Sequence, residues 1–405
     1  MHAAREEQQP GQGTGGGGSA QGSHRPIVAG GPSARGSYDD QMPAEPRPAD
    51  RCPGVLRPHE AADGAMVRVR VPGGQTTAAG LRALSRLSQT HGSGLLQLTS
   101  RGSVQVRGLP AVVPEPFEDG VARAGFLPSA AHERVRNVVA SPLTGLSGGR
   151  ADLRPLVARL DRALLAEPRL ADLPGRFLFV LDDGRGDVAG LGCDLGYRAV
   201  DAGRGELLVG ERRRVRPVRL AEVADLLVDL AVRFLERRGE AWHVRQLDAP
   251  LVEGTEPELR APAPPVAAGP VGPHLVVDVP LGLLSPTQVD AVHDVVGGGP
   301  LVVTPWRSLV LPEAAGERSV LEQVGLVTAP DDAWSLVSAC VGAPWCSSGR
   351  SDTQALAAQL VAAGGPGART HLSGCERRCG APAGAHVDLV APTRVDLAEL
   401  VLARA

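Results

Sequence analysis

The hydrophobic pattern of the first ordered part of the chain predicts a strand, a helix and a hairpin. Apolar and charged residues alternate over residues 66–71, which is typical of a half-buried strand. Leucines then recur three positions apart over residues 77–87, which indicates a helix. Two short apolar stretches, residues 95–98 and 104–107, flank the turn Thr99–Gly102 and predict a β-hairpin.

The same order of elements recurs in the second half of the chain, over residues 274–311. Thr304 follows Thr99 by 205 positions, and Pro280 follows Pro72 by 208 positions. Such a nearly constant offset indicates an internal duplication. It would make Arg307 the counterpart of Arg101. The alternative is that two unrelated units with strands and helices simply look alike at this level of detail.

Between and around the two repeats, composition suggests the domain boundaries. Residues 1–50 hold few large apolar side chains and are predicted to be a disordered tail. Residues 251–273 are rich in proline and alanine, which is typical of a linker. The boundaries that follow are a first repeat, a middle domain, a second repeat and a cysteine-containing domain, at residues 51–115, 116–250, 274–325 and 326–405.

Composition excludes several classes of function. The chain has 405 residues, a net charge of −3, and no lysine among its 42 basic residues. The lack of lysine excludes Schiff-base chemistry and a P-loop, and the weak acidity argues against nucleic-acid binding. No apolar stretch is long enough to span a membrane, and the first residues lack a secretory pattern. We therefore expect a cytoplasmic protein with no membrane contact.

Four of the six cysteines form two local pairs. Five residues separate Cys340 from Cys346, and three separate Cys375 from Cys379. Four thiolates so arranged can hold zinc or an iron–sulfur cluster. The five-residue gap is wide for zinc, and this favours the larger cluster. Zinc and four free thiols stay open as alternatives on spacing alone.

These motifs resemble those of the nitrite and sulfite reductase superfamily, and the likeness covers most of residues 52–405. Its members carry the same cysteine spacing near the end of a duplicated chain. Four further segments of this sequence resemble family motifs: Arg70-Val-Pro-Gly-Gly74, Leu98-Thr-Ser-Arg101, Arg136-Asn137-Val138 and Leu173-Pro-Gly-Arg-Phe177. The resemblance implies an α+β fold, with ferredoxin-like half-domains at 51–115 and 274–325. It also implies two α/β haem- or cluster-type domains, of which only 326–405 carries cluster cysteines.

The resemblance also implies cofactors. In the family the four cysteines hold a 4Fe–4S cluster, and in sirohaem members the last cysteine, here Cys379, bridges to the haem iron. Sirohaem and an additional non-haem iron are therefore further candidates. No Gly-x-Gly-x-x-Gly segment follows a strand, so we expect a separate electron donor, a ferredoxin or a reductase. This donor is expected to dock near residues 340–380.

One departure from the family pattern argues against sulfite or nitrite reduction as the activity. Sulfite and nitrite reductases carry two basic residues one position apart, whereas this chain has Arg176 and then Leu178. This chain is short, and its segment Thr304-Pro-Trp-Arg307 resembles that of the precorrin-3B synthase family. This likeness implies dioxygen-dependent hydroxylation and lactone formation on precorrin-3A in aerobic cobalamin biosynthesis. The alternatives are a sirohaem-dependent sulfite or nitrite reductase, and a non-catalytic redox or regulatory protein with a four-cysteine site.

Arginines are the expected ligands of such a substrate. A precorrin carries many carboxylates, and the planar guanidinium group binds a carboxylate through two parallel hydrogen bonds. The predicted binding residues are Arg70, Arg101, Arg136 and Arg176. We expect Arg136 and Arg176 to act in catalysis as well.

Overall fold

The computed structural model describes residues 27–28, 50–210, 214–253, 256–257, 262–382 and 384–402. The predicted disordered tail over residues 1–50 lies outside these residues, except for residue 50 and strand β1 (Ile27–Val28). Part of the predicted linker over 251–273 also lies outside them. Among the described residues, no helix combines the length and apolar character needed to cross a bilayer.

The first repeat forms the predicted strand, helix and hairpin. Thr77 begins the first helix as its N-cap, since its hydroxyl accepts a hydrogen bond from the Gly80 amide at 3.0 Å. Leu81 and Leu84 on this helix are fully buried against the sheet. The elements are β2 (His59–Ala61), β3 (Gly64–Val69), β4 (Gln75–Thr77), α1 (Ala78–His91), β5 (Leu96–Leu98), β6 (Val104–Leu109) and α2 (Glu115–Arg123).

The middle domain is a six-stranded sheet with two helices. Its first three strands run parallel, and the remaining pairs are antiparallel. Phe177, Phe179 and Phe234 lie together in its core. The elements are β7 (Val138–Ala140), α3 (Arg154–Ala166), β8 (Phe179–Asp182), β9 (Leu195–Ala199), β10 (Arg204–Val209), β11 (Arg214–Arg219), α4 (Val223–Arg237) and β12 (Glu256–Pro257).

The second repeat follows the order of the first. Ser285 caps its first helix as Thr77 does in the first repeat, and Gln288 completes a capping box. The elements are β13 (Gly269–Val271), β14 (His274–Asp278), β15 (Leu283–Leu284), α5 (Pro286–Val296), β16 (Pro300–Val303), β17 (Ser308–Leu311) and α6 (Arg318–Gln323).

The last domain is a small sheet covered by two helices. Its strands run parallel, and β1 pairs with the outer strand in antiparallel orientation. The elements are β18 (Val337–Ala339), α7 (Thr353–Ala362), β19 (Thr370–Ser373), β20 (Val387–Val390) and α8 (Arg394–Leu402). The chain is therefore α+β with two repeats of one unit, as the sequence predicted.

The two repeats exchange strands. Strand β4 of the first repeat pairs with β16 of the second, and β15 of the second repeat pairs with β5 of the first. Leu81 and Leu284 consequently belong to one continuous apolar core that spans both repeats. The exchange makes the repeats one unit, since each sheet is completed by a strand of the other.

The hairpin turns of the repeats match residue by residue. The Thr99 amide donates to the Ser103 carbonyl at 3.0 Å, and the Thr304 amide donates to the Ser308 carbonyl at 2.9 Å. In each turn the threonine hydroxyl also accepts two amide hydrogen bonds. This register places Trp306 opposite Arg101 and Arg307 opposite a glycine. The prediction that Arg307 is the counterpart of Arg101 is therefore wrong by one position.

Candidate functional site

The four predicted cluster cysteines lie on two loops that follow neighbouring parallel strands. Cys340 comes directly after β18, and Cys375 lies two residues after β19. The Cys340 amide donates to the Leu372 carbonyl at 3.0 Å, and its Sγ accepts a hydrogen bond from the Gly374 amide at 3.1 Å. The carboxyl ends of parallel strands thus bring the two cysteine loops to one edge of the sheet.

Glycines let these loops approach closely. The Arg350 amide donates to the Gly374 carbonyl at 2.9 Å and joins the loops directly. A methyl group on Gly374 would lie 3.1 Å from the Gly349 Cα, and one on Gly349 would lie 2.6 Å from the Ala343 amide nitrogen. Backbone atoms therefore occupy the space that larger side chains would need, and the loop conformation depends on these glycines.

The sulfur atoms of the four cysteines are not gathered as closely as a single zinc ion requires. Within the described part of the chain, no three of their sulfur atoms lie within 4.8 Å of one another. Zn–S bonds near 2.3 Å would require sulfur atoms about 3.8 Å apart. Cys379 is exposed and the other three are half-buried. The thiol groups and the close loop contacts suit a 4Fe–4S cluster, which Cys340, Cys346, Cys375 and Cys379 would hold.

A buried histidine lies beneath the cysteine loops. His371 on β19 is fully buried, and its Nδ1 lies 2.9 Å from the Ser338 hydroxyl. Burial first, and then the positive charge of Arg307, lower the pKa of His371 to about 3. His371 is therefore neutral at physiological pH and has a structural role in this sheet.

The first repeat contacts the cluster loop through an arginine. Arg107 makes two hydrogen bonds to the Asp63 carboxylate, at 2.8 and 2.9 Å. The same guanidinium group donates to the Trp345 carbonyl at 3.1 Å, between Cys340 and Cys346. This contact ties the cysteine loop to the first repeat.

Arg70 is a buried cation with an incomplete set of partners. Its side chain is 2% exposed, and its Nε and Nη2 have no hydrogen-bond partner among the residues that the structure describes. Its Nη1 lies at 3.5 Å from the Arg68 carbonyl, the limit of a hydrogen bond. Burial first, and then the charge of Arg68, lower the pKa of Arg70 to about 9. An anion bound here would relieve this cost.

Two other predicted arginines lie in the same region. Arg101 is close enough to Arg70 to lower its pKa further, and it donates to the Arg176 carbonyl at 3.0 Å. Cys52 and Glu133 also act electrostatically on Arg70. The pKa of the Cys52 thiol is raised, mainly by burial and then by Asp50. No sequence pattern linked Cys52 or Glu133 to Arg70, because neither is a near neighbour of Arg70 in the chain.

Arg136 is not part of this group in the structure. Its guanidinium group makes two hydrogen bonds to the Asp161 carboxylate on α3, at 2.7 and 2.8 Å. Both side chains are largely buried. This ion pair anchors α3 and leaves Arg136 committed to a carboxylate of the protein itself, so its predicted substrate-binding and catalytic roles gain no support from the geometry.

The middle and last domains repeat the same loop arrangement. The Ser141 hydroxyl accepts a hydrogen bond from the Asp183 amide at 3.1 Å, as the Cys340 sulfur does from Gly374. The Arg150 amide donates to the Asp183 carbonyl at 2.6 Å, matching the contact made by the Arg350 amide. The segment Gly-Arg-x-Asp, present at residues 149–152 and 349–352, is the sequence signal that could have revealed this second duplication.

Carboxylates occupy the middle domain's equivalent of the cysteine loop. Asp182, Asp183 and Asp187 are buried, with ligand oxygens within 4.8 Å of one another. Two backbone amides donate to Asp182, and Arg185 holds Asp183 through hydrogen bonds of 2.8–3.1 Å. Burial raises the pKa of Asp187 to about 6. These contacts make the loop a hydrogen-bonded turn.

Comparison with known proteins agrees with this architecture. The family description "Nitrite/Sulfite reductase ferredoxin-like half domain" matches residues 57–120. A precorrin-3B synthase of Sinorhizobium sp is 27% identical over 371 residues, covering 84% of this chain and 80% of that protein. A sulfite reductase [ferredoxin] 2 of Mycolicibacterium paratuberculosis is 26% identical over 352 residues, covering 73% of this chain and 62% of that protein.

A solved structure shows the same fold. The NirA protein of Mycobacterium tuberculosis superimposes with a TM-score of 0.60 at 22% identity, covering 78% of this chain and 68% of that one. The duplicated architecture, the half-domain match and the relative that is similar over most of both chains point the same way. The chain is thus similar to a precorrin-3B synthase and to nitrite and sulfite reductases, and its first repeat matches the ferredoxin-like half domain of those reductases.

Proposed function

We propose that the chain is an oxidoreductase that hydroxylates precorrin-3A with dioxygen and closes a lactone, in aerobic cobalamin biosynthesis. One oxygen atom would enter the product, and the other would leave as water with two electrons and two protons from a donor. The observation that carries this proposal is the buried Arg70 guanidinium group, two of whose nitrogens have no hydrogen-bond partner among the residues that the structure describes.

A bound anion would stabilise the buried Arg70 guanidinium group, and a precorrin carries several carboxylates. A carboxylate accepts two parallel hydrogen bonds from a guanidinium group, and such charge-assisted bonds are strong where water is excluded. Arg101 would contribute a second positive charge beside Arg70. The Arg176 carbonyl accepts a hydrogen bond from the Arg101 guanidinium group. These three arginines, without Arg136, form the proposed carboxylate cradle.

The residue two positions after Arg176 argues against a small oxyanion as the substrate. Leu178 stands where the reductases carry their second cation, and it is 5% exposed within an apolar cluster. Trp306, from the turn of the second repeat, packs against the same cluster. Without a second cation at this position, the site holds less positive charge for a small oxyanion. This favours the precorrin over sulfite or nitrite.

The cysteine loops would hold the redox centre. When bound, a 4Fe–4S cluster supplies electrons one at a time. The chain's own contribution is to fix the Cys340 sulfur with the Gly374 amide and to keep Cys379 at the surface. Trp345 is 46% exposed beside the cysteines and offers an apolar contact for a separate ferredoxin or reductase.

The test is anaerobic incubation of the purified protein with precorrin-3A, followed by dioxygen and reductant. The expected product has gained one oxygen atom by mass spectrometry. An unchanged mass in the presence of an intact cluster would refute the proposal.

Spectroscopy and metal analysis separate the alternatives. An intense Soret band with a red band would indicate a sirohaem reductase. One zinc per chain and no sulfide would indicate a non-catalytic metal protein. A broad cluster absorption with iron and sulfide, and without a Soret band, is the result we expect.

A further inference from the structure

We propose that Arg307 is a positioning residue that fixes the loop carrying Cys379 and raises the reduction potential of the cluster. This inference rests on the proposed function, because it requires a cluster at the four cysteines. The sequence offset matched Arg307 with Arg101, whereas the structure matches it with the glycine that follows Arg101.

Arg307 has a backbone conformation that a non-glycine residue rarely adopts. Its φ is +63°, in the left-handed region, where the β-carbon of an L-residue clashes with the following carbonyl. The matching residue of the first repeat is Gly102, whose φ is also +63°. The second repeat thus has an arginine where the same turn elsewhere uses a glycine. A strained arginine in place of the unstrained residue points to a role for its side chain.

The Arg307 side chain runs between two glycines to the cysteine loop. A methyl group on Gly282 would lie 2.8 Å from the Arg307 Cδ, and one on Gly380 would lie 2.5 Å from its Nη2. Any larger residue at either position would displace the arginine. The guanidinium group therefore lies against the backbone next to Cys379, although Arg307 belongs to the second repeat.

Arg307 adds a positive charge from the second repeat to those of the arginines within the cysteine loop. Arg378 is engaged by the carboxylates of Asp388 and Glu376, and Arg350 lies 3.6 Å from Glu376. A cation brought in from the second repeat stabilises the reduced cluster, which carries the more negative charge. Arg307 would thereby couple the second repeat to the redox centre.

The experiment compares the reconstituted wild-type protein with Arg307→Gly and Arg307→Lys. Glycine relieves the strained conformation, so the Arg307→Gly variant is expected to fold. Glu313→Gly is the matched control, because Glu313 also has a positive φ of 55° and its side chain is exposed. The measurements are iron and sulfide content, and the midpoint potential from a titration followed by cluster absorption.

The expected result is a more negative midpoint potential in Arg307→Gly, an intermediate one in Arg307→Lys, and an unchanged one in Glu313→Gly. Loss of iron from Arg307→Gly, with iron retained in Glu313→Gly, would also support the positioning role. A full cluster with the same potential in Arg307→Gly and wild type would overturn this inference alone. A wild-type protein that takes up zinc and no iron would overturn the proposed function and this inference with it.

Discussion

Replacement of Arg70 by methionine separates the stability of the fold from recognition of the substrate. Arg70 is fully enclosed, and two of its nitrogens lack hydrogen-bond partners within the described part of the chain. Methionine fills a similar volume without a charge. We expect Arg70→Met to retain or increase the stability of the free protein while it weakens binding of polycarboxylated tetrapyrroles.

The magnitude follows from the pKa of Arg70, which falls from its usual 12.5 to about 9. This shift corresponds to about 5 kcal/mol of unfavourable free energy for the charged form in the folded protein. The folded protein releases the proton first, so the cost is fully present at neutral pH and decreases only as pH rises above about 9. Arg70→Met should therefore raise the free energy of unfolding at pH 7 by up to about 5 kcal/mol.

Binding should change in the opposite direction. Loss of a paired, charge-assisted contact costs about 3 kcal/mol, or a factor of about 150 in Kd. The assay is fluorescence quenching of a stable octacarboxylate, uroporphyrin, together with urea unfolding of each variant. Arg136→Met is the control, since it breaks the pair with Asp161 and should lower stability by about 3 kcal/mol with Kd unchanged. The reasoning is refuted if Arg70→Met destabilises the fold and leaves Kd at the wild-type value.

Three further predictions test other parts of the structure. Cys340→Ser should reduce iron and sulfide to background on reconstitution, whereas Cys193→Ala in the middle domain should retain both. Asp187→Asn should raise the unfolding free energy by about 3 kcal/mol at pH 7–8, because the raised pKa of Asp187 penalises its carboxylate above pH 6. This gain should vanish near pH 4 in urea unfolding; a gain independent of pH contradicts the assignment. Gly349→Ala should lower iron content, since its methyl group would meet backbone atoms, whereas Gly316→Ala meets no described atom within 4 Å and should not.

The sequence predicted those features that local pattern determines. Alternation over residues 66–71 and leucine spacing over 77–87 correspond to β3 and α1, each shifted by a few residues. The nearly constant offset between the repeats indicated a duplication, because both hairpin turns begin with a threonine whose hydroxyl accepts two amide hydrogen bonds. The cysteine spacing indicated two loops that the parallel strands β18 and β19 bring together.

The features that the sequence did not predict depend on contacts between distant segments. The exchange of β4 and β15 involves strands of three and two residues, too short to show any periodicity. The choice of Asp161 as the partner of Arg136 depends on how α3 packs. Whether an arginine is paired or left without a partner is decided by the tertiary structure, and for this reason Arg70 could not be distinguished from Arg136 by sequence.

The most direct test of the central claim is isotope labelling of the product. The reconstituted protein would be given precorrin-3A, reductant and ¹⁸O₂, and the product mass would be measured. The account predicts incorporation of one ¹⁸O atom, with reduced incorporation in Arg70→Met and none in Cys340→Ser. Incorporation of unlabelled oxygen from water, or incorporation that persists in Cys340→Ser, would contradict it.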